Sequence, residues 1–202
     1  REPTPPVTPQ QEPSYGDASH GKKTNPDDAV AHNKRGDAYY ESGKYKEAIE
    51  SYKQAIRIDP DYTDAHCNLG ESYSISGMHK EAIESLKQAI RIDPDYAGAH
   101  YNLGVAYGDS GKHKKAIKSY KQAIRIDPDH AWGHFGLGFV YGKSGKYKEA
   151  IKSFKQGIRI DPDDRDAHYY LGIANGKSGM DKEAIESYTS LYFNHTSSLP
   201  SF

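Results

Sequence analysis

The sequence predicts an all-α protein built as a solenoid, in which similar helix–turn–helix hairpins stack one on the next. One long segment is repeated: KEAIESYKQAIRIDPDY at 46–62 returns at 80–96 with one substitution, and in more altered form at 114–130 and 148–164. Glycines also recur every 34 residues, at Gly36, Gly70, Gly104, Gly138 and Gly172. A period of this length is typical of stacked helical hairpins.

The glycine register divides the chain into repeat copies and two tails. We expect a Pro-rich, extended or disordered tail at 1–28, a repeat domain at 29–191 and a C-terminal tail at 192–202. Asn25 and Pro26 form a favourable cap and first-turn pair for the opening helix. Within the domain the copies are 29–62, 63–96, 97–130, 131–164 and a partial fifth at 165–191.

The second copy shows why each unit is expected to fold as a hairpin. Leu69, Gly70 and Tyr73 are three to four residues apart and therefore share one face of a first helix. Gly77 can adopt the left-handed conformation that ends a helix, and Pro94 must stop the second, apolar-striped helix. One hairpin cannot bury this stripe, whereas a stack of hairpins buries a continuous core.

Composition and charge exclude several classes of protein. No apolar run approaches the roughly 20 residues of a membrane span, and a formal net charge of -1 argues against nucleic-acid binding. Cys67 is the only cysteine, so no disulfide can form within the chain, and a cytoplasmic and an exported location both stay open. The lysines of the third copy lie mostly on its second helix, where we interpret them as a solvated face rather than a site for an anionic partner.

The third copy carries the residues that indicate a family. At the marker positions stand His100, Leu103, Gly104, Tyr107, Ala116, Tyr120, Ala123 and Pro128. This spacing resembles the tetratricopeptide repeat, with His where Trp is most common, over about 165 of the 202 residues. The resemblance implies a right-handed α-solenoid of stacked tetratricopeptide repeats whose first helices line a concave groove.

Catalytic and metal chemistry is not expected. Five histidines are each 34 residues apart, so no two of them can share one ion, and a packing role is favoured. They are His32, His66, His100, His134 and His168. The Asp-Pro-Asp segments fall at helix boundaries, where capping is the ordinary explanation. We therefore predict no enzymatic activity, no metal site and no cofactor.

Binding is expected where the copies differ along the groove. The groove positions are acidic and polar in the first two copies and aromatic in the last two. The candidate partner-binding residues are Asn33, Asp37, Asn68, Glu71, Tyr101, Asn102, Trp132, Phe135, Phe139 and Tyr169. Trp132 is the only tryptophan, and aromatic side chains are frequent anchors of binding hot spots. The alternative is that these rings pack on the neighbouring helix or are covered by a tail of the chain.

Two ligand classes of the family were tested against these positions. The clamp by which tetratricopeptide co-chaperones hold a chaperone carboxylate uses two Lys, two Asn and one Arg, and the corresponding positions here supply no cation. They are Asn33, Asp37, Asn68, Gly98 and Asn102. Asn68 and Asn102 instead resemble the asparagine ladder that holds an extended peptide backbone. That ladder is interrupted at Lys34, Gly136 and Tyr170.

Three functional hypotheses remain. The first is a peptide-binding adaptor, whose partner places apolar side chains toward the late copies and a basic residue toward the early acidic ones. The second is a scaffold that forms homo-oligomers when its apolar terminal face or a tail docks on another copy. The third is the docking arm of a longer enzyme. The early acidic residues are Asp37, Glu41, Asp64 and Glu71, and the terminal apolar residues are Tyr192, Phe193, Leu199 and Phe202.

Overall fold

The computed structural model describes residues 26–193, which form ten α-helices and no strand. The first helices of the five hairpins are α1 (Pro26–Glu41), α3 (Thr63–Ile75), α5 (Ala97–Asp109), α7 (Ala131–Lys143) and α9 (Arg165–Lys177). The second helices are α2 (Tyr45–Ile58), α4 (His79–Ile92), α6 (His113–Ile126), α8 (Tyr147–Ile160) and α10 (Asp181–Phe193). The predicted all-α repeat fold is confirmed.

The helices stack so that the row of first helices is the tighter side. Each first helix packs against the second helix of its own hairpin, and each second helix packs against the next first helix. Cα atoms of consecutive first helices come within 8 Å of one another, whereas those of consecutive second helices within residues 26–193 do not. A stack that is closer on one side curves toward it, so the face formed by α1, α3, α5, α7 and α9 lies on the inside of the curve. We call this face the groove.

The repeat glycines allow the two helices of each hairpin to approach closely. A Cβ atom on Gly104 would lie 2.6 Å from Cε1 of Tyr120, far inside van der Waals contact. The same relation holds in the other hairpins, between Gly36 and Tyr52, Gly70 and Leu86, Gly138 and Phe154, and Gly172 and Tyr188. A second set of glycines ends the first helices. Gly77, for example, has a φ of 74°, and the amide of Met78 donates to the carbonyl of Tyr73 over 2.8 Å.

The periodic histidines fasten the loops between hairpins. Nε2 of His66 donates to the carbonyl oxygen of Pro60 over 2.9 Å, so the imidazole ties the start of α3 to the loop before it. The equivalent bonds join His100 to Pro94, His134 to Pro128 and His168 to Pro162. His32 departs from this pattern, because its Nδ1 lies 2.7 Å from a guanidinium nitrogen of Arg35. The packing role is thus a specific hydrogen bond in four copies.

The Asp-Pro-Asp segments begin at the C-terminal caps of the second helices and not at helix N-termini. Asp93 follows the C-terminal end of α4, and its Oδ1 accepts the backbone amide of Asp95 over 3.0 Å. Asp59, Asp127 and Asp161 close the same turn in their copies. The carboxylates therefore shape the loop that leads into the next hairpin, because an aspartate side chain can bond the backbone two residues on.

The described helices run from Pro26 to Phe193, whereas the repeat domain was expected over 29–191. Helix α1 begins at Pro26, the position predicted for a first-turn proline, and α10 ends at Phe193. Asn25 lies outside the described residues, as do residues 1–24 and 194–202, so the tails stay predictions. No helix within residues 26–193 is both long and apolar enough to cross a membrane.

Candidate functional site

Three depressions lie along the groove, at matched positions between successive first helices. The first, of about 260 Å³, lies between α1 and α3 and is lined by Asp37, Tyr40, Glu41, Tyr52, Asn68 and Glu71. The second, of about 240 Å³, lies between α3 and α5 and is lined by Glu71, Ser74, Ile75, Tyr101, Asn102, Val105 and Asp109. The third, of about 230 Å³, is lined by Phe139, Gly142, Lys143, Tyr147, Phe154, Tyr170, Ile173, Ala174 and Lys177.

The first depression holds a carboxylate in a fixed orientation. Oδ1 of Asp37 accepts the Tyr52 hydroxyl over 2.9 Å and the Asn68 side-chain amide over 3.1 Å. Oδ2 accepts the side-chain amide of Asn33 over 3.4 Å. Burial, followed by the hydrogen bond to Asp37, raises the pKa of Tyr52, so its hydroxyl remains a donor at neutral pH. Asp37 is therefore held by neutral donors from three helices.

Glu71 is held in the same way at the border of the first two depressions. The hydroxyl of Tyr40 donates to its Oε1 over 2.6 Å, and burial together with this bond raises the pKa of Tyr40. The ion pairs among the described residues are Lys53–Glu50 and Lys87–Glu84, both exposed on second helices. The carboxylates of this part of the groove consequently carry their negative charge without a cationic partner from within residues 26–193.

Asn68 and Asn102 join consecutive first helices. Asn68 donates to Asp37 of α1, and Asn102 in α5 donates to Sγ of Cys67 in α3 over 3.5 Å. Cys67 is buried, and desolvation raises the pKa of its thiol to about 12, so it is not a thiolate at neutral pH. These two asparagines, which resemble the ladder that holds a peptide backbone, thus also link neighbouring first helices by hydrogen bonds.

The late copies carry an aromatic cluster. The ring of Phe139 lies 6.3 Å from that of Phe135 and 5.2 Å from that of Tyr170, measured between centroids. Trp132 meets Phe135 edge-on at 6.2 Å, and Tyr169 meets Tyr170 at 5.3 Å. Phe135 and Phe139 are half-buried, whereas Trp132 is 54% and Tyr169 47% exposed. The cluster thus has a packed base and two exposed rings.

Two residues differ from the arrangement expected from the sequence. Tyr101 does not join the cluster, because its ring packs against those of Tyr120 and His130, at 5.8 and 5.1 Å. Tyr170 was not among the candidates, although it contacts four other rings of the cluster region. Its signal in the sequence is the replacement of the asparagine that stands at Asn68 and Asn102 in the matched register.

The described residues offer no metal site. Within residues 26–193, no three His, Cys, Asp or Glu side chains gather as potential ligands of one ion.

Comparison with a protein-family model identifies the type of repeat. The model of the TPR repeat matches residues 36–77, 75–111, 106–145 and 143–179, which together span most of the chain. A comparison with curated protein sequences finds no match.

Several solved structures resemble this fold. A crystal structure of MamA is 29% identical, covers 80% of this chain and 95% of its own, and has a TM-score of 0.72. TTC0263, a thermophilic TPR protein of Thermus thermophilus, is 23% identical, with coverages of 81% and 89% and a TM-score of 0.69. YrrB, described as a TPR protein with an unusual peptide-binding site, is 22% identical, with coverages of 83% and 86% and a TM-score of 0.64. At these lower identities the last two likenesses show the fold alone.

Proposed function

Because the chain belongs to the tetratricopeptide repeat family, whose members typically act as protein–protein interaction scaffolds, we propose that it is a non-enzymatic adaptor that binds a segment of a partner protein along its groove. The observation that carries the proposal is the exposed aromatic cluster. Trp132 stands where the matched residues are Val30, Asp64, Gly98 and Asp166, so the repeat framework does not require a large ring there. Contact with an apolar side chain of a partner would explain the large ring at this position.

Burial supports this assignment for Trp132 and Tyr169. Both rings lie on first helices and remain about half exposed, although a core role would have covered them. Phe135 contacts the ring of Trp132 and Tyr170 contacts the ring of Tyr169, which gives the partner a firm apolar surface. YrrB is described as having a peptide-binding site, and our proposal places a comparable use on this groove.

In the first two copies, the groove carboxylates would bind a basic residue of the partner segment. Asp37 and Glu71 are oriented by neutral donors and lack a cationic partner among the described residues. A Lys or Arg of the bound segment would provide that charge. Such exposed complementarity acts mainly on the association rate and on the dependence of binding on salt.

A random-peptide library selected against the whole chain tests the proposal. Trp132→Ala should leave the fold intact and weaken binding of the selected peptide by about 2 kcal/mol or more, the range of a hot spot. Ile185→Ala is the matched control, because Ile185 is an exposed apolar residue of α10, outside the row of first helices. Equal losses in both variants, or no loss in Trp132→Ala, would refute binding in the groove.

One observation favours a second function, the self-assembling scaffold. Ile185 is 65% exposed, whereas Ile49, Ile83 and Ile151 at matched positions are buried and Ile117 is half-buried. The difference arises because no further first helix packs on α10 within the described residues. Sedimentation at increasing concentration separates the two functions. A scaffold that uses this face should associate and lose the association on Ile185→Asp, whereas an adaptor stays monomeric.

A further inference from the structure

The third depression reverses the charge of the other two. At the matched positions near the ends of the first helices stand Glu41 in the first depression and Asp109 in the second, but Lys143 and Lys177 in the third. The remaining lining of the third depression is mostly apolar and aromatic. We call it the lysine pocket. Because the backbone is the same in each copy, the three depressions differ only in their side chains and therefore in the ligand groups that they can bind.

The two ammonium groups of the lysine pocket lie in the last turns of α7 and α9, and neither has a carboxylate partner among residues 26–193. The described ion pairs involve neither Lys143 nor Lys177, and both side chains are exposed. Nζ of Lys143 lies 5.3 Å from the ring centroid of Phe139, so the charge is held beside the aromatic lining. Two like charges at one small depression repel each other, and an anion placed between them relieves that repulsion.

We propose that the lysine pocket receives a carboxylate that stands next to an apolar side chain in the bound segment of the partner protein. The carboxylate would contact Lys143 and Lys177, and the apolar side chain would pack on Phe139 and Tyr170. This inference rests on the proposed function and adds an orientation to it. The segment binds with its basic residue at Asp37 and Glu71 and its acidic group at the lysine pocket.

The length of such a segment follows from the spacing of the helices. Three steps between neighbouring first helices separate the first depression from the lysine pocket. At roughly 8–10 Å a step the separation is about 24–30 Å. An extended chain covers that span with about seven to nine residues at roughly 3.3 Å each. The recognised motif is therefore a basic residue and an acidic group separated by about that many positions.

The selected peptide described above is the probe. It is synthesised in its original form, with each Asp or Glu replaced by Asn or Gln, and with its C-terminal carboxyl group either free or amidated. Binding is measured by fluorescence anisotropy to the whole chain and to the double variant Lys143→Gln/Lys177→Gln. The matched control is Lys114→Gln/Lys148→Gln, which removes the same charge from exposed positions of second helices.

We expect the pocket variant to bind the original peptide about tenfold more weakly and the control variant to bind it within about twofold of the parent. The amidated peptide in which every Asp and Glu is also replaced has no carboxylate left and should bind the parent and the pocket variant equally. The amidated form tells whether the carboxylate comes from a side chain or from a chain end, and either source supports the proposal.

Other results overturn it. A selected peptide without any carboxylate near an apolar residue, or equal losses in the two double variants, refutes the lysine pocket while leaving the groove proposal standing, provided that Trp132→Ala still weakens binding. If Trp132→Ala also has no effect, the proposed function fails with it. A self-association that disappears in Lys143→Gln/Lys177→Gln would show that a second copy occupies the pocket, which also contradicts the inference.

Discussion

At the scale of the residue, Ser72 shows how one side chain can depart from a repeat at a cost to stability. Its hydroxyl is fully buried and has no hydrogen-bond partner among the described residues. The matched residues of the third and fifth copies are Ala106 and Ala174, which are buried without any polar atom in the side chain. A buried hydroxyl that lacks a partner is unfavourable by roughly 1–3 kcal/mol.

Ser72→Ala should therefore raise the free energy of unfolding by about 1 kcal/mol, since it removes this hydroxyl and improves helix propensity. Ser51→Ala is the control. That serine is also buried in a helix, but its Oγ donates to the carbonyl oxygen of Glu47 over 2.9 Å. Chemical denaturation of both variants measures the effect. A Ser72→Ala protein that is no more stable than its parent, or Ser51→Ala gaining as much, would contradict this explanation.

At the scale of the element, two glycines of α5 separate close packing from helix propensity. A Cβ on Gly104 would meet the Tyr120 ring at 2.6 Å, whereas a Cβ on Gly108 would meet Cγ2 of Val140 at an ordinary 3.8 Å. We expect Gly104→Leu to overpack the hairpin and lower stability by roughly 1–3 kcal/mol. Gly108→Ala should raise stability by up to about 1 kcal/mol. Thermal melts that rank the two variants in the opposite order would show that the helix register is wrong.

The helices were predictable from the sequence because the same apolar spacing, glycines and prolines recur every 34 residues. Gly77 ends a first helix and Pro94 follows the end of a second one, so both boundaries are visible in the sequence. The contacts that distinguish one copy from another were not visible. Tyr52 reaching Asp37, and Tyr170 replacing an asparagine at the centre of a ring cluster, depend on which side chains meet across helices. Spacing within one helix does not contain that information.

The charges of the groove illustrate the same limit. Lys143 and Lys177 occupy groove positions in the sequence register, yet only the shared depression brings them to one place with Phe139. In the same way, the register assigned Tyr101 and Trp132 to one face, and Tyr101 does line the second depression, but its ring packs against Tyr120 and His130 and not against the aromatic cluster. Register predicts which side of a helix a residue faces, and packing between helices determines its neighbours.

At the scale of the whole molecule, the array combines a uniform framework with a graded inner face. The framework is repeated in every copy through glycine contacts, and in four copies through the bond from histidine to the loop. The inner face changes from carboxylates near α1 and α3 to rings and lysines near α7 and α9. This change of side chains along the groove suits an extended ligand that binds in one orientation, since each copy then contributes a different contact to one bound segment.

The fluorescence of Trp132 tests this account most directly, because it is the only tryptophan of the chain and its ring is 54% exposed. Binding of the selected peptide should cover the ring, shift its emission to shorter wavelength, and follow the same saturation curve as an independent measurement by calorimetry. An unselected peptide of the same composition is the control. If calorimetry shows binding while the emission of Trp132 stays unchanged, the ligand does not lie on the aromatic cluster. The exposed lysines of α6 and α8, among them Lys114, Lys118 and Lys148, then become the better candidate.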